Sequence, residues 1–214
     1  RKAKIAAGKT LLYREPPHYI TLGKELPAKA LDEILTDHAE VFTELNEYYK
    51  QTSESDTTKI SFYEDTYSLY NLYRFAHYYE EAYGKYIWLK SGASLVIEHT
   101  EAMTVIDVNT GSVLKKKKQE DTLFYQINRE AAKEIARQLR LRNISGIIMI
   151  DFINMKDTAQ KEKLLSLLDS ECKKDRVHCN VIDMTALNLV EMTRSKVRKP
   201  LHEQIRSCMK NNRS

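Results

Sequence analysis

Glycine and proline are scarce, at 6 and 4 of 214 residues, and no low-complexity linker or internal repeat marks a domain boundary. Cysteine is scarcer still. Cys172, Cys179 and Cys208 are odd in number and contain no Cys-x-x-Cys pair. That argues against both a disulfide framework and a thiolate zinc site, and it suits a reducing cytoplasm. Long apolar runs are missing: Gly146 to Ile150 is among the longest at five residues, against ~20 for a membrane-spanning helix. Charge of one sign is nearly balanced, 34 Lys and Arg against 30 Asp and Glu, for a net +4. With 42% hydrophobic residues and a mean hydropathy of −0.53, a disordered tail and a membrane protein are both excluded by composition. There is no Walker-type, dinucleotide-binding or Gly-x-Ser-x-Gly motif, and the six histidines lack metal-ligand spacing. The sequence starts at Arg1 without a signal peptide, which reads as a truncation point in a longer chain.

What remains is pattern. An extended piece at Thr10 to Arg14 precedes the Pro16-Pro17 break, and Leu31 to Leu35 suits either strand or helix. Asp37 is placed to cap a helix to about Tyr49, and Lys59 to Tyr63 reads as a strand. Leu69, Leu72, Tyr73, Ala76, Tyr79 and Tyr83 recur at helical spacing, predicting one amphipathic helix over 67–83 that ends at Gly84. So many tyrosines suit a base-stacking platform, but half-buried packing on a helix explains them without a ligand.

Beyond Gly84 the texture changes. Tyr86 to Leu89 and Ser94 to Glu98 flank a Ser91-Gly92-Ala93 turn as a hairpin, and Met103 to Val108 reads as a third strand. Asp121 or Thr122 caps a long helix to about Arg142, with Leu123, Ile127, Ala131, Ile135 and Leu139 down one face. Gly146 to Phe152 is nearly continuous in apolar residues, as in a strand covered on both faces. A helix over 157–173, strands near 177–182 and 189–193, and a helical tail follow. This alternation is that of an α/β layer.

Two carboxylates fall at strand ends, where open α/β sheets place ligands: Asp107 and Asp151. Asp107 and Asn109, two residues apart on a strand, project to the same side. The aspartates are 44 positions apart, room for one crossover helix, so the two carboxylates can converge. Two carboxylates and an amide suit Mg²⁺, a hard cation that keeps several waters and supports phosphoryl transfer. The plain alternative is two ordinary strand-end aspartates. Lys115, Lys116, Lys117 and Lys118, with Arg137, Arg140 and Arg142, suit a polyanion near that edge, or a solvated charged surface.

The segments Glu101 to Asn109, Asn128 to Ile144, Gly146 to Met155 and Val190 to Arg194, in this order, closely resemble the ribonuclease E/G family, bacterial endoribonucleases that cut single-stranded RNA. A weaker match at Leu11 to Glu15 extends the likeness over nearly the whole chain. The resemblance implies a degenerate RNase H-like subdomain over 1–84 followed by a DNase I-like catalytic subdomain over 85–214 with a helical tail, in mixed sheets with covering helices. It implies that Asp107 and Asp151 hold Mg²⁺, that Asn109 orients the attack, and that an internal phosphodiester is hydrolysed to leave a 5′-phosphate, with a preference for AU-rich strands. Asn154 stands where the family usually has a third acid, and His178 where the best-known members carry an arginine that contacts a 5′-monophosphate. The family's zinc link, OB-type RNA-binding domain and 5′-sensor are not in the sequence.

The expectation is therefore an Mg²⁺-dependent endoribonuclease region of an α/β protein, with Lys115 to Lys118 and Arg176 as RNA backbone contacts. Its partner is single-stranded RNA, not a membrane, with homo-oligomers in the complete protein not built on a zinc link within this chain. The isolated piece is expected to be weakly active or inactive, since other domains hold the substrate. The rival readings are a non-catalytic RNA-binding or scaffold module and a Mg²⁺ phosphoesterase acting on small nucleotides.

Overall fold

The computed structural model describes residues 17–25, 31–52, 58–111 and 120–205. The extended piece expected at Thr10 to Arg14 lies outside them. The chain divides into two units, Arg1–Phe75 and Ala76–Ser214, against an expected division after residue 84.

The first unit contains α1 (His18–Glu25), β1 (Glu33–Thr36), α2 (Ala39–Thr52), β2 (Lys59–Phe62) and α3 (Leu69–Leu72). The ambiguous run near Leu31 is thus a strand, which pairs in parallel with β2. The helix expected over 67–83 is two helices, α3 and α4 (Phe75–Tyr83). Arg74 between them takes a left-handed conformation, φ 53°, which a helix cannot contain. The break divides the apolar stripe, and Tyr73, Tyr79 and Tyr83 are exposed rather than half-buried by packing.

In the second unit α4 leads to β3 (Tyr86–Trp88), β4 (Ser94–His99), β5 (Met103–Asn109), α5 (Glu120–Leu141), β6 (Gly146–Asp151), α6 (Thr158–Cys172), β7 (Cys179–Met184) and β8 (Leu189–Arg194), and residues 201–205 are helical. The sheet order is β3-β4-β5-β6-β8-β7. Only β5 and β6 are parallel neighbours, as the crossover α5 demands; every other pair is antiparallel. The sheet is therefore mixed, as expected. The tight turn at Thr185 to Asn188 folds β8 back on β7 and inserts it beside β6.

Helices α5 and α6 pack together and share one core with the sheet. Ile127, Ala131, Ile135 and Leu139 of α5 and Leu164 and Leu168 of α6 meet Ile106 and Val108 of β5, Ile148 and Ile150 of β6, and Val190 and Met192 of β8. Alternate residues point away from the helices. On that open face Ile147 is 48% exposed, so β6 is covered on one face and not on both. Its run is apolar on both sides, and periodicity alone does not say which side is covered. Asp157 caps α6, accepting from the Ala159 N–H at 2.9 Å.

The end of the sheet at Arg194 is held by a buried ion pair, Arg194 Nε to Asp175 Oδ2 at 2.9 Å. The same guanidinium donates to Asn143 Oδ1 and the Ile144 carbonyl.

Candidate active site

Asp107 and Asn109 sit on the last turns of the pleat in β5, and Asp151 is the last residue of β6. Asp107 and Asp151 are register partners, so their side chains leave the same face on neighbouring strands ~4.8 Å apart. Asn109 Nδ2 donates to Asp107 Oδ2 at 2.7 Å, which fixes one carboxylate oxygen and leaves the other for a ligand. Burial, and then the nearby Asp107 charge, pushes the Asp151 carboxyl above its usual range. A carboxyl whose ionised form is made costlier by a neighbouring carboxylate is a place where a cation is stabilising. Among the described residues no cluster of three or more His, Cys, Asp or Glu has metal-binding geometry. The donor set is two acids and an amide, which suits a metal that keeps most of its waters.

Three further residues hold this edge. Asn128 is fully buried on α5 and clasps Ile153, two residues past Asp151: its Nδ2 donates to the Ile153 carbonyl at 2.7 Å, and its Oδ1 accepts from the Ile153 N–H at 3.0 Å. Glu130 accepts from the N–H groups of Lys90 and Ser91 at 2.7 and 3.3 Å, anchoring the β3–β4 turn. Gly111, φ +56°, lies against that turn, where a Cβ would stand 2.5 Å from the Gly92 carbonyl oxygen. Sequence reasoning assigned these three no role. The available signal was Asn128, an amide beside Ile127 in a stripe of apolar residues.

The other sequence candidates are not gathered here. Lys115 to Lys118 lie outside the described residues. Arg176 precedes β7, whose first residue Cys179 is level with Arg194 and Gly146, at the opposite end of β6 from Asp151. Arg137, Arg140 and Arg142 are at the end of α5, which leads into that same far end of β6. Arg142 is buried and donates to Gln138 and the Glu81 carbonyl, and Arg137 pairs with Glu134 and Glu81. These two guanidiniums are therefore structural, correcting the expectation of a polyanion contact by them near Asp107. Asn154 is exposed on the loop after Asp151, and His178 lies beside Cys179 at the far end.

The whole of this arrangement, with the first unit, falls in the region that matches the Ribonuclease E/G family, residues 1–197. The chain belongs to the ribonuclease E/G family. It is similar to ribonuclease G of Haemophilus influenzae, 36% identical over 201 residues that make up 94% of this chain and 40% of that protein. Ribonuclease G of Escherichia coli (strain K12) is 38% identical over 171 residues, 80% of this chain and 35% of that protein. Ribonuclease E of Nostoc sp. (strain PCC 7120) is 30% identical over 206 residues, 95% and 30%. This ribonuclease E/G family chain thus spans two fifths or less of these relatives' lengths.

Proposed function

We propose that this chain is the catalytic region of an endoribonuclease that hydrolyses internal phosphodiesters of single-stranded RNA, with Asp107 and Asp151 as the ligands of Mg²⁺. The observation that carries this is the register pairing of the two carboxylates on one open sheet face, in a family whose relatives are named ribonucleases. Two acids and an amide fit Mg²⁺, and when bound the cation supplies an activated water and neutralises charge on the phosphate. Asn109 keeps the Asp107 carboxylate in one orientation, and Asn128 keeps the strand end carrying Asp151 in place through Ile153. Water oxygen bonds to phosphorus, the P–O3′ bond breaks, and the 3′ oxygen takes a proton, leaving a 3′-hydroxyl and a 5′-phosphate. On this reading residues 85–214 are the DNase I-like subdomain and residues 1–84 a degenerate RNase H-like one, acting in the cytoplasm. No helix among the described residues is long and apolar enough to cross a membrane.

The test is cleavage of an AU-rich single-stranded RNA by the complete protein in Mg²⁺ and in EDTA, beside Asp107→Asn and Asp151→Asn. Cleavage that needs Mg²⁺ and both aspartates supports the reading. Metal-indifferent RNA binding without product, even by the unaltered protein, would make it a scaffold module instead. A free nucleotide that competes with RNA would point to a small-nucleotide phosphoesterase.

A further inference from the structure

The sequence has one tryptophan, and the fold places it in water on the face that carries the carboxylates. In Lys85-Tyr86-Ile87-Trp88-Leu89-Lys90, Ile87 and Leu89 turn into the core while Tyr86 and Trp88 stay 59% and 73% exposed. Register fixes where those rings emerge. Tyr86 is level with Val96 of β4, which is level with Asp107, which is level with Asp151. Trp88 is level with Ser94, and Ser94 with Asn109. The aromatics thus stand on the same face as Asp107 and Asn109, two strand spacings or ~10 Å away. At ~3.4 Å per stacked nucleotide that is the length of about three nucleotides, and fewer when the strand is extended.

We propose that Trp88, with Tyr86 beside it, is a stacking platform for bases of single-stranded RNA flanking the phosphate bound at Asp107 and Asp151; this rests on the endonuclease reading only for the position of that phosphate. Scattered exposed apolar residues need no explanation, but this pair shares one strand and the sheet face of the two carboxylates. Lysines bracket it. Lys85 Nζ lies 5.8 Å from the Tyr86 ring centre while also pairing with Glu98, and Lys90 follows Leu89 at the other end of the strand. Exposed aromatic faces flanked by cations match what a single strand offers, bases and phosphates in alternation. Between platform and carboxylates the floor is Val96, level with Tyr86 and Asp107, and Ser94, level with Trp88 and Asn109. The occupant favoured is a single strand because the rings share the face of the two carboxylates within reach of one bound strand; a protein partner is an outcome of the test.

The measurement is tryptophan fluorescence of the complete protein in EDTA, taken as the difference from Trp88→Phe so that only Trp88 is read. Titration with a short oligoadenylate is expected to quench it, and a ribose-phosphate strand without bases is expected to leave it unchanged. In Mg²⁺, Trp88→Ala is expected to raise KM for RNA about five-fold or more, with a smaller effect on kcat, and Trp88→Phe to retain most of the affinity. Equal responses to the two strands, no response to either, or Trp88 emission already shielded from iodide before RNA is added would overturn the platform. Quenching by an intact protein that never cleaves RNA would keep the platform and sink the nuclease reading. Normal cleavage with an unchanged KM in Trp88→Ala would do the reverse.

Discussion

Asp107 and Asp151 stand opposite one another across the only parallel strand pair of the six-stranded sheet. Like charges placed this way repel, which raises the Asp151 carboxyl and favours a bound cation. Asp107→Asn and Asp151→Asn are therefore expected to separate stability from activity. Without metal, each variant melts at or slightly above the unaltered protein. Cleavage falls by roughly 10³-fold or more, since a lost metal contact removes several kcal/mol of transition-state stabilisation. Paired thermal melts and RNA cleavage assays check this; a clear drop in melting temperature would show that the acids serve the fold.

Asn128 acts on the same strand end from the helix layer. Asn128→Ala leaves the Ile153 N–H and carbonyl without their partner, a loss of about 1–3 kcal/mol. Asn128→Asp retains the bond from the Ile153 N–H and loses the one to its carbonyl. A positioning role predicts that both variants lower kcat at temperatures well below their melting points, with little change in KM, which steady-state kinetics will separate from simple instability.

Gly111 is a second constraint on β5. In Gly111→Ala the new methyl meets the Gly92 carbonyl oxygen, and the left-handed backbone adds its own strain. The expected loss is about 1–3 kcal/mol, read from denaturant unfolding, together with reduced cleavage because Asn109 is two residues away.

The sheet end opposite the carboxylates predicts a pH effect. His99 stacks on His202 with ring centres 3.9 Å apart, touches the Thr104 hydroxyl at 3.0 Å, and shares a cleft with Lys85, Glu98 and Arg142. Burial, then His202 and Arg142, holds its pKa down to about 4, against a smaller opposing pull from Glu203. The folded state thus binds fewer protons at this site than the unfolded chain between pH 6.5 and 4. Its contribution is complete above about pH 6.5 and is lost as pH falls towards 4. Melting temperature is expected to drop across that window, and His99→Gln to make the drop shallower.

Much of this was legible in residue order. The hairpin at Ser91 to Ala93, the crossover α5 and the convergence of Asp107 with Asp151 follow from period-two strands, a long amphipathic stripe and the 44-residue spacing. The insertion of β8 between β6 and β7 was not, because which edge a hairpin joins depends on long-range pairing that local pattern does not encode. The split at Arg74 was hidden by a periodicity that continues unchanged through it. Arg142 shows the limit for charge: in sequence it reads as a cation for a polyanion, and in the fold its guanidinium bonds Gln138 and the Glu81 carbonyl. Trp88 was silent for the opposite reason, since a strand of three residues carries too short an alternation to say which side is wet.

That short strand also bears on solubility. β3 is an edge of the six-stranded sheet, and an open edge bearing exposed aromatics is a ready template for pairing with another chain. Its brevity leaves few ladder positions to offer, and Lys85 and Lys90 stand at its two ends as gatekeepers. A strand from a second molecule that tried to extend the sheet would find only three ladder positions, between Lys90 and the Lys85–Glu98 pair, which disfavours fibrillar growth.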